Sequence, residues 1–473
     1  MVSVSRSRSV RMACAASIAV LFLSTLVSSH VLAADDLLQT CWADSDSAGD
    51  EFHCVPAGPK TSCVELFDSP YDGHLWERPV LLGNLGGARD QLAENGLTFD
   101  LSTTQYYQGI AAGGVEQSFE YSGRNDYYIN IDGAKAGLWE GLFITLHGET
   151  RYGETINGAS GAIMPPNIGT LFPQPQNSVS ALSGVKITQA LSENFIVFAG
   201  KLNLLDELVQ PFAGGRGVDA FMNTGLVLPV AVARTSPYST LGAGFAVLQD
   251  MHPVFSFMVL DPTGSATTSG FEAFFEDGVT LLSKIDIPVS ICNLPGHQGL
   301  MGTYSNGRFN SLDPTAYFDP NVGPVVTVGQ ETGSWSLVYT ADQALYVDPC
   351  NSKRSWGVFT NIGIADNGPS PIHWSANIGV GGSSLITTRP LDTFGIGYSY
   401  VGYSSPVKDL APVLLPVRDD QAVEMYYNIA VTPWFHLTPS LQFLVPARER
   451  TRPPGAEAID TAVVVGLRAK IDF

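Results

Sequence analysis

The sequence predicts an all-β fold: a transmembrane antiparallel β-barrel of about sixteen strands with a short N-terminal periplasmic segment. Three observations lead there. Segments along most of the chain alternate apolar and polar residues with a period of two, the mark of a strand with one greasy face and one wet face. Beyond the N-terminal leader no apolar run approaches the ~18 residues of a membrane helix; "LVLPVAVA" is among the longest, and Pro229 interrupts it. Hydrophobic residues still make up 45% of the chain and charged ones only 15%, with mean hydropathy +0.11, which is poor in charge for a soluble exported protein. A membrane crossed without helices must be crossed by a closed sheet, since nothing else satisfies every backbone group in lipid.

The chain opens "MVSVSRSRSVRMACAASIAVLFLSTLVSSHVLAADD", with Arg6, Arg8 and Arg11 ahead of an apolar stretch and small residues at Ala33 and Ala34. Residues 1–34 read as a cleaved secretory signal peptide. Residues 35–96 are expected to form the periplasmic segment, with a cysteine-containing insertion up to about Pro79 and a short helix. Residues 97–473 are expected to form the barrel.

The first strand, "LTFDLSTTQ", puts Leu97, Phe99 and Leu101 opposite Thr98, Asp100, Ser102 and Thr104. In "DYYINID" Tyr127, Ile129 and Ile131 oppose Asp126, Tyr128, Asn130 and Asp132, and in "LFITLHGETR" Leu142, Ile144 and Leu146 oppose Thr145, His147, Glu149 and Arg151. Later segments carry Asn361, His373, Asn377, Glu424, Asn428, His436 and Gln442 on their polar faces. The last, "TAVVVGLRAKIDF", alternates down to Phe473. Sixteen such segments start near residues 97, 126, 142, 179, 195, 239, 254, 279, 299, 335, 356, 372, 393, 423, 435 and 461. Long and short connections alternate between them, as in a barrel with turns at one rim and loops at the other. The count closes at sixteen if "LVLPVAVA" belongs to the connection from Asn203 to Pro237.

Net charge is −20 and the isoelectric point about 4.6, which makes nucleic acid an improbable partner. Gly 48, Pro 30 and 10% aromatics suit many turns and interfacial rings.

Specific stretches add a resemblance. "LLGNLGGARDQLAENGLTFDLSTTQYYQGIAAGG", "GKLNLLD", "EMYYNIAVTPWFHLTPSLQFLVP" and "VVVGLRAKIDF" resemble recurring stretches of the OprB-like carbohydrate-selective porin family, over most of the chain from about Leu81 to Phe473. The resemblance implies a sixteen-stranded bacterial outer-membrane barrel that passes monosaccharides and other small polar solutes by diffusion. It implies outer-membrane lipid and small sugars as partners, a barrel-assembly machinery that reads the terminal Phe473, and room for a homo-oligomer. The alternatives are a general or ion-selective porin, an embedded enzyme, or a structural barrel plugged by its N-terminal segment.

No catalytic signature such as G-x-S-x-G, H-E-x-x-H or a P-loop is present, so neither enzyme activity, nor a cofactor, nor a metal is expected. His147 and Glu149 share a strand face, a spacing that serves metal or acid–base work, but Thr145 and Arg151 share it too, as in a polar lumen. Candidate pore-lining, sugar-contacting residues are Asp100, Asp126, Tyr128, Asn130, Glu149, Arg151, Lys186 and Lys201. The Gly-rich 203–237 connection, with Asp206, Glu207, Arg216 and Asp219, either folds inward as a constriction or forms an external flap, and its "LLDELVQPF" suits a short helix. The constriction is the expectation, because a barrel this wide otherwise leaves an open channel. Cys292 and Cys350 fall in turns flanking the same strand pair, where a disulfide is expected in an oxidising compartment. Cys41, Cys54 and Cys63 leave an odd thiol after one bridge, and a zinc site with His53 is disfavoured because adjacent residues do not easily both ligate.

Overall fold

The computed structural model describes residues 69–473 apart from 175–177, 209, 314, 320–322, 328, 415 and 452–456. The signal peptide, the insertion with Cys41, Cys54 and Cys63, and His53 lie outside the described residues.

Sixteen strands close into one antiparallel barrel. In chain order the first nine are β1 (Leu97–Gly114), β2 (Phe119–Asp132), β3 (Leu142–Gly153), β4 (Val179–Ser192), β5 (Phe195–Asn203), β6 (Ser239–Gln249), β7 (His252–Leu260), β8 (Thr280–Ile291) and β9 (Leu294–Asn310). A two-stranded hairpin, β10 (Thr315–Asp319) and β11 (Gly323–Thr327), stands apart in the next connection. The barrel resumes with β12 (Gln330–Asp348), β13 (Asn351–Ala365), β14 (Ile372–Ser383), β15 (Thr393–Tyr403), β16 (Asp420–Thr432), β17 (Phe435–Val445) and β18 (Asp460–Asp472), and β18 pairs with β1 to close it.

The period of two is inverted relative to a soluble sandwich. Tyr107 is 55% exposed on the outer face while its neighbour Tyr106 is fully buried inside. Tyr127, Ile129, Leu281, Ile285, Leu337 and Leu467 repeat the outward apolar pattern, whereas Arg124, Asp126, Glu149, Gln343, Glu424 and Gln442 are buried within. That arrangement is stable only where the outer face meets hydrocarbon.

One rim carries tight turns. Asp250 and Met251, and likewise Cys292 and Asn293, both have positive φ, the mirror-image turn whose twist matches that of paired strands. Cys292 and Cys350 are disulfide-bonded; as the two cysteines among the described residues they staple the β8–β9 turn to the β12–β13 turn. The other rim carries the long connections. The apolar run "LVLPVAVA" lies in the longest of these, where Pro229 separates a helical turn, Thr224–Val227, from a 3-10 turn, Val230–Val232. Residues 204–207, expected to start a helix, form turns instead.

The seam between β1 and β18 is latched by the segment before it. The Leu81 amide donates to Asp472 (2.8 Å) and the Phe473 amide to Leu101 (2.9 Å). Arg89, in the helix Ala88–Glu94, donates to the main-chain oxygens of Phe99 (3.0 Å) and Phe473 (2.9 Å). Its guanidinium lies 4.7 Å and 4.3 Å from the ring centres of Tyr71 and Phe99. At the opposite end of the seam Gly113, with φ of 65°, permits a bulge: a Cβ there would sit 2.0 Å from the Thr461 carbonyl.

Arg89→Ala should cost the folded barrel about 2 kcal/mol, read from urea unfolding in vesicles. Arg89→Lys should not restore it, because one ammonium cannot span two main-chain oxygens and stack on two rings.

Candidate functional site

The connection between β5 and β6, residues 204–238, does not hang outside. It enters the lumen, and the β3–β4 connection comes in beside it: the Ile168 amide donates to the Met222 carbonyl (2.8 Å) and the Thr224 amide to Pro165 (3.2 Å). Backbone brought into a lumen loses water and needs other partners, and the polar inner wall provides them. The Glu424 carboxylate on β16 accepts from the amides of Met222 (2.9 and 3.1 Å) and Asn223 (2.7 Å). Arg468 on β18 donates to the carbonyls of Gly217 (2.9 Å) and Ala220 (2.8 Å), and the Tyr106 hydroxyl also reaches Gly217 (3.1 Å). Asn377 on β14 donates to Gly225 (2.9 Å) and Leu226 (3.2 Å). Gln442 on β17 donates to Pro166 (2.9 Å), and Arg151 on β3 to Pro173 (2.9 Å) and Thr170 (3.3 Å). Apolar contacts finish the seat, with Phe221 edge-on to Tyr426 (5.0 Å) and Phe359 (5.4 Å).

Where this loop meets β2 and β3, charges of both signs converge. Arg124 holds both Asp126 oxygens (3.0 and 2.6 Å) and also reaches Glu149. His147 turns one ring nitrogen to Asp126 (3.1 Å) and the other to Asp206 of the loop (2.7 Å). Arg216 of the loop lies 3.3 Å from Asp206 and 3.4 Å from Asp126. Tyr128 stacks on His147 at 3.9 Å and donates its hydroxyl to Asp206 (2.9 Å). Nearby, Lys186 pairs with Glu207 (2.5 Å) and Lys470 with Asp219 (2.7 Å). Beside the cluster a cavity of ≈ 680 Å³ is lined by Tyr128, Asp206, Arg216, Asp219 and His436, among others.

Asp126, His147 and Glu149 offer atoms within 4.8 Å of one another, a set able to hold a cation. Arg124 and Arg216 already bring positive charge to those carboxylates, so the geometry is that of an ion-pair network. Burial alone raises the Asp206 carboxyl, but its hydrogen bond with His147, the Arg216 charge and the Tyr128 hydroxyl outweigh that and hold it below the ordinary carboxylate range.

Of the residues singled out from the sequence, Asp126, Tyr128, Glu149, Asp206 and Arg216 come together here, and Lys186 with Glu207 lies close by. Arg151 anchors a loop. Asn130 accepts from Thr145 (2.9 Å) lower on the wall, and Asp100 faces Tyr128 across the β1–β2 register as an exposed residue. Lys201 is a correction. Phe198 and Leu202 on β5 pack into the internal apolar cluster, so alternation puts Lys201 on the outer face, where its ammonium donates to the carbonyls of Ala266 (2.8 Å) and Thr268 (2.6 Å). Arg124 was not singled out, because β2 begins at Phe119 rather than near Asp126. Extending the alternation two residues back places it beside Asp126.

A wide barrel narrowed by an inward loop bearing charges of both signs defines a porin. The family model for the carbohydrate-selective porin, OprB family, matches residues 116–473, and the chain belongs to that family, whose members are outer-membrane channels for sugars. The chain is 20% identical to Porin B of Pseudomonas aeruginosa over 436 residues, covering 83% of this chain and 91% of that protein. It is 23% identical to QuiX of Acinetobacter baylyi, named as a candidate porin, over 439 residues, or 84% and 94% of the two chains. The high-pH structure of Pseudomonas putida OprB superposes with a TM-score of 0.71 at 18% identity, covering 85% of this chain and all of that one (100%).

Glu424→Ala leaves two buried loop amides without an acceptor, at about 1–3 kcal/mol each. Single-channel recordings should show larger current fluctuations than wild type while the barrel keeps its heat-modifiable mobility on gels. A carboxylate held below its ordinary pKa stabilises fully above that ordinary value and loses its contribution only as pH falls through the lowered one. The Asp206 contact should therefore persist from pH 7 to about pH 5, and Asp206→Asn at pH 7 should raise conductance where mild acid acting on Asp206 does not.

Proposed function

We propose that the channel admits neutral, hydroxylated solutes of monosaccharide size and slows ions of either sign. The observation that carries this reading is the loop-borne pairing of Arg216 with Asp206 and Asp126 against the β2–β3 wall. A permeating ion meets one unlike and one like charge within a few ångströms, whereas a sugar hydroxyl both donates to a carboxylate and accepts from a guanidinium. Tyr128, Asn428 and His436, which line the adjoining cavity, add polar atoms that exchange hydrogen bonds with sugar hydroxyls. Each contact is exchangeable, as conduction requires.

In this reading the long-loop rim faces outward and the tight-turn rim faces the periplasm, together with the segment before β1. Residues 1–34 are removed on export, and the assembly machinery reads Phe473 before the seam closes over it. Transport is passive, with no chemistry performed on the solute.

Liposome swelling with refolded mature protein tests the proposal. Glucose should enter faster than a neutral amino acid of similar size, and a disaccharide more slowly than glucose; equal glucose and amino-acid rates would leave a general sieve. Arg216→Glu should shift reversal potentials toward cation selectivity and reduce the preference for glucose. An ion-selective pore would instead show strong charge selectivity before any substitution.

A further inference from the structure

The inserted loop divides the lumen into two unlike halves. The polar half holds the charged cluster. The other half is a cavity of ≈ 1010 Å³ between the loop and the wall from β4 to β9, and its surface is largely apolar. On that wall the inward positions form rows across the strands. Phe198 pairs across Gly244 to Met258 and on to Leu282, and in the next row Ile196 pairs with Ala246, followed by Ser256, Lys284 and Met301. Gly244 leaves room for its neighbour: a Cβ there would lie 2.9 Å from the end of the Phe198 ring. Phe172 and Tyr238, which also line the cavity, stack at 4.3 Å near the long-loop rim. Toward the tight-turn rim Phe143, on the same β3 face as His147, is 46% exposed.

An apolar surface left facing an aqueous lumen is unfavourable unless something other than water covers it. The loop covers part of this wall, through Leu204 and Ala231, and still leaves a volume in the range of small-molecule sites. Of the charged residues that line it, Lys186 pairs with Glu207 (2.5 Å), Lys284 with the neighbouring Asp286 (2.8 Å), and Glu193 sits exposed at the β4–β5 turn; the two pairs on the wall favour a neutral polar group over an ion there. We propose that this cavity is a second binding site and passage, selective for amphipathic solutes: a neutral hydroxylated head bonded to an aromatic or aliphatic body. The head meets the Lys186–Glu207 pair, and the body lies against Phe198, Met258 and Leu282. This reaches beyond sugar permeation, for which the polar half suffices.

The probe is phenyl β-D-glucopyranoside, compared with the disaccharide cellobiose in liposome swelling, with protein-free vesicles correcting for leakage through lipid. The expected result is entry of the phenyl glucoside at least about threefold faster than cellobiose, a ratio set by weak contacts that still release the solute. In Met258→Asn/Leu282→Asn the ratio should fall toward one while glucose entry persists. A ratio near one in wild-type vesicles that take up glucose would overturn the proposal, as would a high ratio unchanged in the double variant. Should the variant fail to fold, saturable block of wild-type single-channel current by phenyl glucoside, absent with cellobiose, supports the site, and equal absence of block for both overturns it. The comparison of glucose with an amino acid is a separate arm, so failure of sugar selectivity and failure of this site read out independently.

Discussion

The structure depends on one exchange: buried loop amides and carbonyls bonded to side chains of the barrel wall. A connection of more than thirty residues, 204–238, gives up water when it enters the lumen, and its backbone is retained there because Glu424, Asn377, Arg468 and Tyr106 project from strands at the right heights. In a wide barrel the polar face is usually thought of as wetted lining. Here much of it is bonded to protein, and the water-filled space is what the loops leave over.

The charged cluster follows from that seating. Arg124, Asp126 and Glu149 are nearly inaccessible, a burial that would be prohibitive for unpaired charges. Arg124 satisfies the two carboxylates from the wall side, and the loop then presents Asp206 to His147 and Arg216 to Asp126. The loop is thus held at one flank by backbone bonds and at the other by ion pairs. Its remaining flank faces the largely apolar β4–β9 wall, where Leu204 and Ala231 pack, Glu207 pairs with Lys186 and Thr235 bonds to Thr280 and Thr303, and where the larger opening is left.

Much of the fold was legible because lipid imposes a simple rule. Where hydrocarbon meets every outward residue, strands such as β16 and β18 must keep a period of two, and each of the sixteen anticipated segments corresponds to a strand. The placement of "LVLPVAVA" in a loop was legible only as a condition, since the strand count closes at sixteen when it is left out of the sheet. The site was legible in part. Asp126, Tyr128 and Glu149 follow from strand parity, but Lys201 was read inward from its polarity, whereas parity counted from the inward apolar positions Phe198 and Leu202 turns it outward. Arg124 was hidden by too late a start for β2. Asn377 and Gln442 were seen as polar wall, without sign that their partners are loop backbone.

The sequence by itself determined the barrel, its strand number, the pairing turns and the inward polar face, because these depend on local alternation and on turn residues with fixed backbone needs. Only the tertiary structure decided where residues 204–238 go, which charges meet, and that one side of the lumen is apolar. Those outcomes rest on contacts between residues as far apart as Met222 and Glu424, and on the register of neighbouring strands that lines Phe198, Met258 and Leu282 into one surface. No periodicity within a single strand records them.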